Sequence, residues 1–291
     1  MPEGDTVWRT AQRLHAALAG KPITESDLRW PSISTVDLTG RATLEVRSRG
    51  KHLLHRVDGG LTLHSHLRME GQWRLEATAT LPARWRRSSD LRALVAAADW
   101  AALGLRLGML DLVPTARESE LVGHLGPDVL GPDWDREVAV ANVLACPAPV
   151  GQALLDQRNL AGLGTLWTAE TLFIEQVHPW AVPADLGPDV VGRLVDRAHR
   201  LLGRARLDAV QTSTGSRRPG ETAYVHARSG RPCRRCGGLV RVAMTGPPTR
   251  ERTIFYCPAC QGGLGPTDDG ARQVPLGSQA RRPPGASRRS G

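Results

Sequence analysis

No long uncharged apolar run occurs in this sequence. Its most apolar stretch, residues 99–113, is broken by Asp99, Arg106 and Asp111, short of the roughly 18 uncharged residues a membrane span needs. A membrane protein is excluded. The opening MPEGDTVW carries two acids and no basic-then-apolar pattern, so no secretory signal is read and the chain is expected in the cytoplasm, associated with the nucleoid. Five cysteines in that reducing compartment speak for metal binding or chemistry rather than disulfides. Lysine is almost missing: Lys21 and Lys51 are the only two among 38 basic residues. In so arginine-biased a chain a lysine survives either by chance or where a compact, deprotonatable amine is required.

What is present is ordinary for folded protein: 291 residues, 41% hydrophobic and 23% charged, enough for about two domains with a sizeable core. The net charge of +9 is unevenly spread, with residues 1–192 holding 19 basic and 23 acidic side chains and 193–291 holding 19 arginines and 6 acids. That asymmetry predicts a polyanionic partner, a nucleic acid rather than plain solvent, bound mainly by the C-terminal half and released by salt.

Residues 5–19 show helical apolar spacing, with Asp5 or Thr6 available as N-cap and Gly20 as terminator. From Ser34 to Val113 the pattern alternates as in strands separated by Gly, Asp and Pro, which reads as a β-sandwich. The period then becomes helical, through VAVANVLAC, GQALLDQRNLAGLGTLWTAETLFIEQ and VVGRLVDRAHRLLGRARLDAV. Boundaries follow: 1–122 the N-terminal sandwich, 123–137 a linker, 138–225 a helical domain, 226–262 a finger and 263–291 a disordered basic tail. Residues 211–232 are polar and Gly-rich, and are expected to form a mobile loop.

Cys233-x2-Cys236, twenty residues, then Cys257-x2-Cys260 is a spacing that brings four thiolates around one structural zinc ion, with a redox role for the CxxC pairs as the alternative. The segments between can pair as a hairpin too small to fold without metal. Cys146, alone, reads as a small buried apolar residue. Gly162 and Gly164, in the turn LAGLG between two helices, would let backbone N–H groups at the second helix's start approach a phosphate. An ordinary helical hairpin is the other reading.

Met1 precedes Pro2 and is readily removed before so small a residue, leaving a secondary amine. An α-amino group near about 8 is neutral at pH 7 roughly a few hundred times more often than a lysine near about 10.4, and such an amine attacks an aldehyde-like carbon to give an iminium, an electron sink. Glu3 could move the accompanying proton. His64 and His66 share a face and read as hydrogen-bonded structural side chains, and the eight tryptophans as packing rather than stacking platforms.

The motifs MPEGDTV, RGKHLL, HLRMEGQW, LLDQRNLAGLGTLW and GRPCRRCG with RTIFYCPACQ resemble, in order and near spacing over about residues 1–262, those of the formamidopyrimidine-DNA glycosylase/endonuclease VIII family, and DTVWRT looks like its actinobacterial endonuclease VIII branch. The resemblance implies an α+β multidomain protein: an N-terminal β-sandwich with a flanking helix, a helical domain with a helix-two-turn-helix, and a C-terminal zinc ribbon. It implies Pro2 as nucleophile at C1′ of a damaged nucleotide, Glu3 as general acid/base and Lys51 as a charged group at sugar or phosphate. DNA contacts would come from Met69, filling the gap left by the flipped base, from Asn159, Gly162, Gly164 and Thr165, from Arg217 and Arg218, and from Arg252, the finger arginine on phosphates. Zinc on Cys233, Cys236, Cys257 and Cys260 would be structural.

Two positions depart from the family pattern. Thr6 stands for the usual acid, leaving neighbouring Asp5 as its substitute, and Thr165 stands for the usual turn asparagine. Arg106 is a weak candidate for a second gap-filling residue. The expected function is a monomeric bifunctional DNA glycosylase/AP lyase of base excision repair, acting on damaged double- or single-stranded DNA and removing oxidised pyrimidines by a Pro2 Schiff base and β,δ-elimination. The alternatives are 8-oxoguanine/formamidopyrimidine-type purines as substrates, a catalytically weakened lesion-binding module, or a zinc-ribbon protein acting on RNA.

Overall fold

The computed structural model describes residues 2–275. Helix α1 (Gly4–Leu18) leads into strand β1 (Glu25–Leu28), followed by β2 (Thr43–Arg49), β3 (His52–Val57), β4 (Leu61–His66), β5 (Gln72–Ala77), short helix α2 (Ala83–Arg86), β6 (Leu91–Ala96), β7 (Trp100–Leu105), β8 (Met109–Pro114) and short helix α3 (Glu118–Val122). The strands form two four-stranded antiparallel sheets, ordered β1-β6-β7-β5 and β2-β3-β4-β8. Leu53, Leu63 and Leu110 of one sheet meet Trp73, Val95 and Ala102 of the other, and Val7, Ala11, Leu14 and Leu18 of α1 join the same core. Alternation of apolar and polar residues aims these side chains inward. Strand β1 lies before the stretch read as strands: its sequence Glu-Ser-Asp-Leu is mostly polar because β1 pairs on one side only, with β6, at a sheet edge.

Two further corrections concern α1. Its N-cap is Glu3, not Asp5 or Thr6. Asp5 lies inside the first turn, fully buried, because Trp167 Nε1 (3.1 Å) and Gln211 Nε2 (3.0 Å) donate to it from the other domain.

The second domain contains α4 (Arg136–Ala145), α5 (Val150–Leu155), α6 (Thr165–Ile174) and α7 (Pro183–Ala205). Helix α4 begins at Arg136, two residues inside the expected linker, since Asp135 caps it through Val138 N–H at 3.0 Å. Helix α7 is two helical segments joined where Gly187 takes a φ of 76°, just before Pro188. Val143, Leu154, Trp167, Leu172, Leu194 and Leu202 form this domain's core. The finger follows as the hairpin β9 (Arg241–Thr245) and β10 (Arg252–Tyr256), closed by α8 (Pro258–Gln261).

The expected disordered tail splits at Pro275. Residues 276–291 lie outside the described residues. Residues 263–275 pack on the finger, because the buried Asp268 carboxylate pairs with Arg241 and accepts from Tyr256 Oη at 2.6 Å, while Gln273 bridges Val242 N–H and C=O at 2.8 Å each. Residues 211–232 contain no helix or strand, as composition predicts, yet they are anchored: the fully buried Glu170 carboxylate accepts from the N–H groups of Tyr224, Val225 and His226 at 2.8–2.9 Å and from Ser213 Oγ.

Candidate functional site

A cavity of about 370 Å³ opens between the domains, and Pro2, Lys51, Met69, Gly164, Thr165 and Arg252 all line it. Six residues read from five separate segments therefore converge on one space. Beside it a second cavity of about 510 Å³ continues past Arg252 to Arg250, Arg158, Asp156 and His124.

Pro2 is placed by its neighbour. The Glu3 carboxylate reaches across the domain boundary to the start of α6, where it accepts from Gly164 N–H at 2.7 Å, Leu166 N–H at 2.8 Å and Trp167 N–H at 3.4 Å. The first amides of a helix have no internal acceptor and carry its positive dipole end, so a carboxylate fits there. Gly4 N–H donates to Gly162 C=O at 2.9 Å, and a Cβ on Gly4 would sit 3.0 Å from Gly162 Cα, so only glycine permits this approach without displacement. Burial raises the pKa of Glu3 above the usual carboxylate range, opposed by the Lys51 charge and the helix amides.

Lys51 stands in the β2–β3 turn after Gly50, whose φ is 58°. Gly50 N–H donates to Asp128 Oδ2 at 2.8 Å, tying that turn to the second domain, and Lys51 Nζ donates to Leu163 C=O. Burial lowers the amine's pKa, Arg252 lowers it further, and Glu3 opposes both. The cavity thus holds a deprotonatable amine beside the N-terminal proline. Met69 projects from the β4–β5 turn, 65% exposed, where Arg68 takes a left-handed φ of 52°. Arg106 lies in the β7–β8 turn, pairing with Glu70 at 3.6 Å and Asp90 at 2.9 Å. Arg252 opens β10 opposite Thr245, so the finger hairpin carries its cation to the cavity edge.

The remaining expected contacts lie elsewhere. Asn159 does not line the cavity: its Nδ2 donates to Ala153 C=O at 2.8 Å and braces the turn. Gly162 N–H donates to Gln157 Oε1 at 3.0 Å. With Gly164 N–H serving Glu3, the glycine amides expected to meet a phosphate are used by the protein itself. Arg217 and Arg218 are exposed on the 211–232 segment, Arg217 paired with Asp208 at 2.5 Å. Sequence reasoning missed Gln157, which lines the cavity and holds the turn through Leu155 and Leu163 C=O at 2.9 Å each, and Glu170; a charged residue within the apolar run TLWTAETLFI was the available signal.

The four finger thiols fit a tetrahedral ion. Their sulfurs lie within 4.8 Å of one another, with Cys233–Cys260 at 3.9 Å and Cys236–Cys257 at 3.5 Å, against about 3.8 Å expected between thiolates bound to one zinc. Cys146 stands apart from them, half-buried beside the helical core. Among the described residues no helix is long and apolar enough to cross a membrane.

Comparison with known proteins decides the family. Residues 1–103 match the formamidopyrimidine-DNA glycosylase N-terminal domain and residues 125–216 the H2TH domain of the same enzyme. The chain is 50% identical over 277 residues to a probable endonuclease 8 2 of Streptomyces coelicolor, covering 94% of this chain and 99% of that protein. The chain belongs to the formamidopyrimidine-DNA glycosylase/endonuclease VIII family. Another member, the DNA-(apurinic or apyrimidinic site) lyase Nei2 of Mycolicibacterium smegmatis, is 43% identical over 262 residues, covering 90% of this chain and 99% of the lyase. In fold, the chain matches the Lactococcus lactis formamidopyrimidine-DNA glycosylase crystallised on abasic-site DNA, with a TM-score of 0.75 at 23% identity over 90% of this chain and 100% of that one.

Proposed function

We propose that this chain, an enzyme of its family's DNA glycosylase/AP lyase class, excises oxidised bases, oxidised pyrimidines foremost, from damaged DNA in base excision repair. The observation that carries this reading is the position of Pro2 in the interdomain cavity beside Lys51 and Arg252. Once Met1 is removed, a step that lies outside the described residues, the proline nitrogen is a secondary amine facing a space suited to an everted nucleotide. Its lone pair attacks C1′, the base departs with a proton, and the ring-opened sugar becomes an iminium on Pro2. The iminium acidifies the adjacent C–H bonds and so drives β- and then δ-elimination. Glu3 is the acid/base for ring opening, with burial raising its pKa against the pull of Lys51 and the α6 amides. Lys51 and Arg252 attract phosphate, and Met69 fills the vacated stack.

Zinc on Cys233, Cys236, Cys257 and Cys260 would supply folding energy to the finger and thereby hold Arg252 in place. The choice of pyrimidines follows the endonuclease 8 branch, to which the relative at 50% identity belongs by name. Borohydride reduction with abasic DNA tests the reading: a covalent adduct is expected, and Pro2→Gly should lose nearly all of it. An undiminished adduct from that variant would overturn Pro2 as nucleophile.

A further inference from the structure

Elimination from an abasic site needs a group that removes a proton from C2′, and the cavity offers few. Glu3 is already assigned to the ring-opening step, and its two oxygens are held at the α6 amides. Lys51 has its Nζ turned onto Leu163 C=O, Arg68 and Arg252 carry guanidinium groups that cannot accept a proton, and both polar ends of Gln157 are spent on the turn. Two imidazoles remain, His52 and His66.

Their hydrogen bonds distinguish them. Arg68 N–H donates to His66 Nδ1 at 2.9 Å, so a neutral His66 carries its proton on Nε2 and presents a donor. His52 sits at the end of a chain. Asp111 Oδ2 lies 3.0 Å from His64 Nδ1, and His64 Nε2 lies 2.8 Å from His52 Nδ1. The carboxylate can only accept, which puts a proton on His64 Nδ1 and leaves His64 Nε2 as acceptor for His52 Nδ1–H. His52 Nε2 is left with a lone pair and, among the described residues, with no protein partner. Strand register explains the arrangement: His52 is opposite His66, and His64 opposite Asp111, across neighbouring strands.

We propose that His52, oriented by His64 and Asp111, is the base that removes the C2′ proton in the lyase reaction. This rests on the Pro2 reading above. The proton moves from C2′ to His52 Nε2, the C–H pair forms a C1′=C2′ bond, and the iminium pair returns to the Pro2 nitrogen. That nitrogen's pair then re-forms the iminium as C2′=C3′ forms and the C3′–O bond breaks, its electrons leaving on the 3′-phosphate. The groups facing His52 are His64, His66, His124 and Lys51, with Asp111 behind His64 and Arg68 beside His66. Burial and these cationic or protonatable neighbours push the free His52 pKa down to about 3, so it enters the complex neutral, and an arriving phosphate acts against that depression.

The test compares two readouts on one abasic duplex: borohydride trapping, which needs only the iminium, and single-turnover strand scission. His52→Ala should keep trapping within about threefold while scission slows by about 30-fold or more, within the range of a lost general base. Added imidazole should restore scission, and a 2′-deuterated site should slow the wild-type rate. Asp111→Asn, at the surface end of the chain, should slow scission about tenfold by releasing the His64 tautomer. Scission within threefold of wild type in His52→Ala overturns the inference, as does a joint loss of trapping and scission that imidazole does not rescue. Failure of the wild-type protein to trap overturns the Pro2 reading instead.

Discussion

Gly164→Ala probes the contact by which the Glu3 carboxylate fixes the N-terminus on α6. A Cβ at this position would lie 2.4 Å from Glu3 Cδ and 2.5 Å from Glu3 Oε1, so the carboxylate must retreat by about 1 Å to reach ordinary contact. That movement breaks its bonds from Gly164 and Leu166 N–H, made at 2.7 and 2.8 Å. Hydrogen bonds to a charged group contribute about 1.5–3 kcal/mol each, giving a loss of about 3–6 kcal/mol. Gly164 has a φ of −128°, open to alanine, and the stiffer unfolded chain returns about 0.4–1 kcal/mol. The net expectation is a destabilisation of about 2–5 kcal/mol, read from urea unfolding of the zinc-loaded protein. Abasic-site scission should fall more than tenfold, because Pro2 loses its brace. Stability within about 0.5 kcal/mol of wild type, with scission within threefold, would refute the view that Glu3 and α6 together place the proline.

Arg252→Ala should weaken binding to any DNA sequence and flatten the dependence of log Kd on log salt by about one phosphate's worth; an unchanged slope removes Arg252 from the phosphate contacts. Cys233→Ser should abolish near-stoichiometric zinc binding and expose residues 226–262 to protease while the sandwich stays folded, and retained zinc would contradict the four-thiolate site. The Asp268 carboxyl is pulled down to about 2 by Arg241. Its pairing therefore stabilises the 263–275 strap above the ordinary carboxylate range, and that contribution is lost as pH falls from about 4 to about 2. Asp268→Asn should free the strap to protease at neutral pH; equal protection in the variant would show that this ion pair does not hold it.

The domain order was legible because it carries strong local signals, alternation, helical period and cysteine spacing, and Lys51 stood out as a lysine among arginines, whereas Met69 and Arg252 were carried by the family resemblance alone. The features that escaped are made by tertiary contact. Glu3 as a cap for α6 involves a residue 161 positions away from Gly164, and no local pattern reports that. Asp5 looks like a surface acid, yet it is buried against donors from distant segments. The same holds for the histidines. His64 and His66 are visible at i, i+2, but their different tautomers follow from Asp111 and Arg68 N–H, which only the folded sheet brings near. Residues 263–275 read as tail because a short chain segment with Gly, Pro and Asp has no periodicity, although Asp268 finds Arg241.

Peptide mapping of the borohydride-reduced complex with abasic DNA tests the central claim most directly. The account predicts the deoxyribose remnant on the nitrogen of an N-terminal peptide that starts at Pro2, with Met1 absent. The remnant on Lys51, or on a chain that still carries Met1, would contradict it.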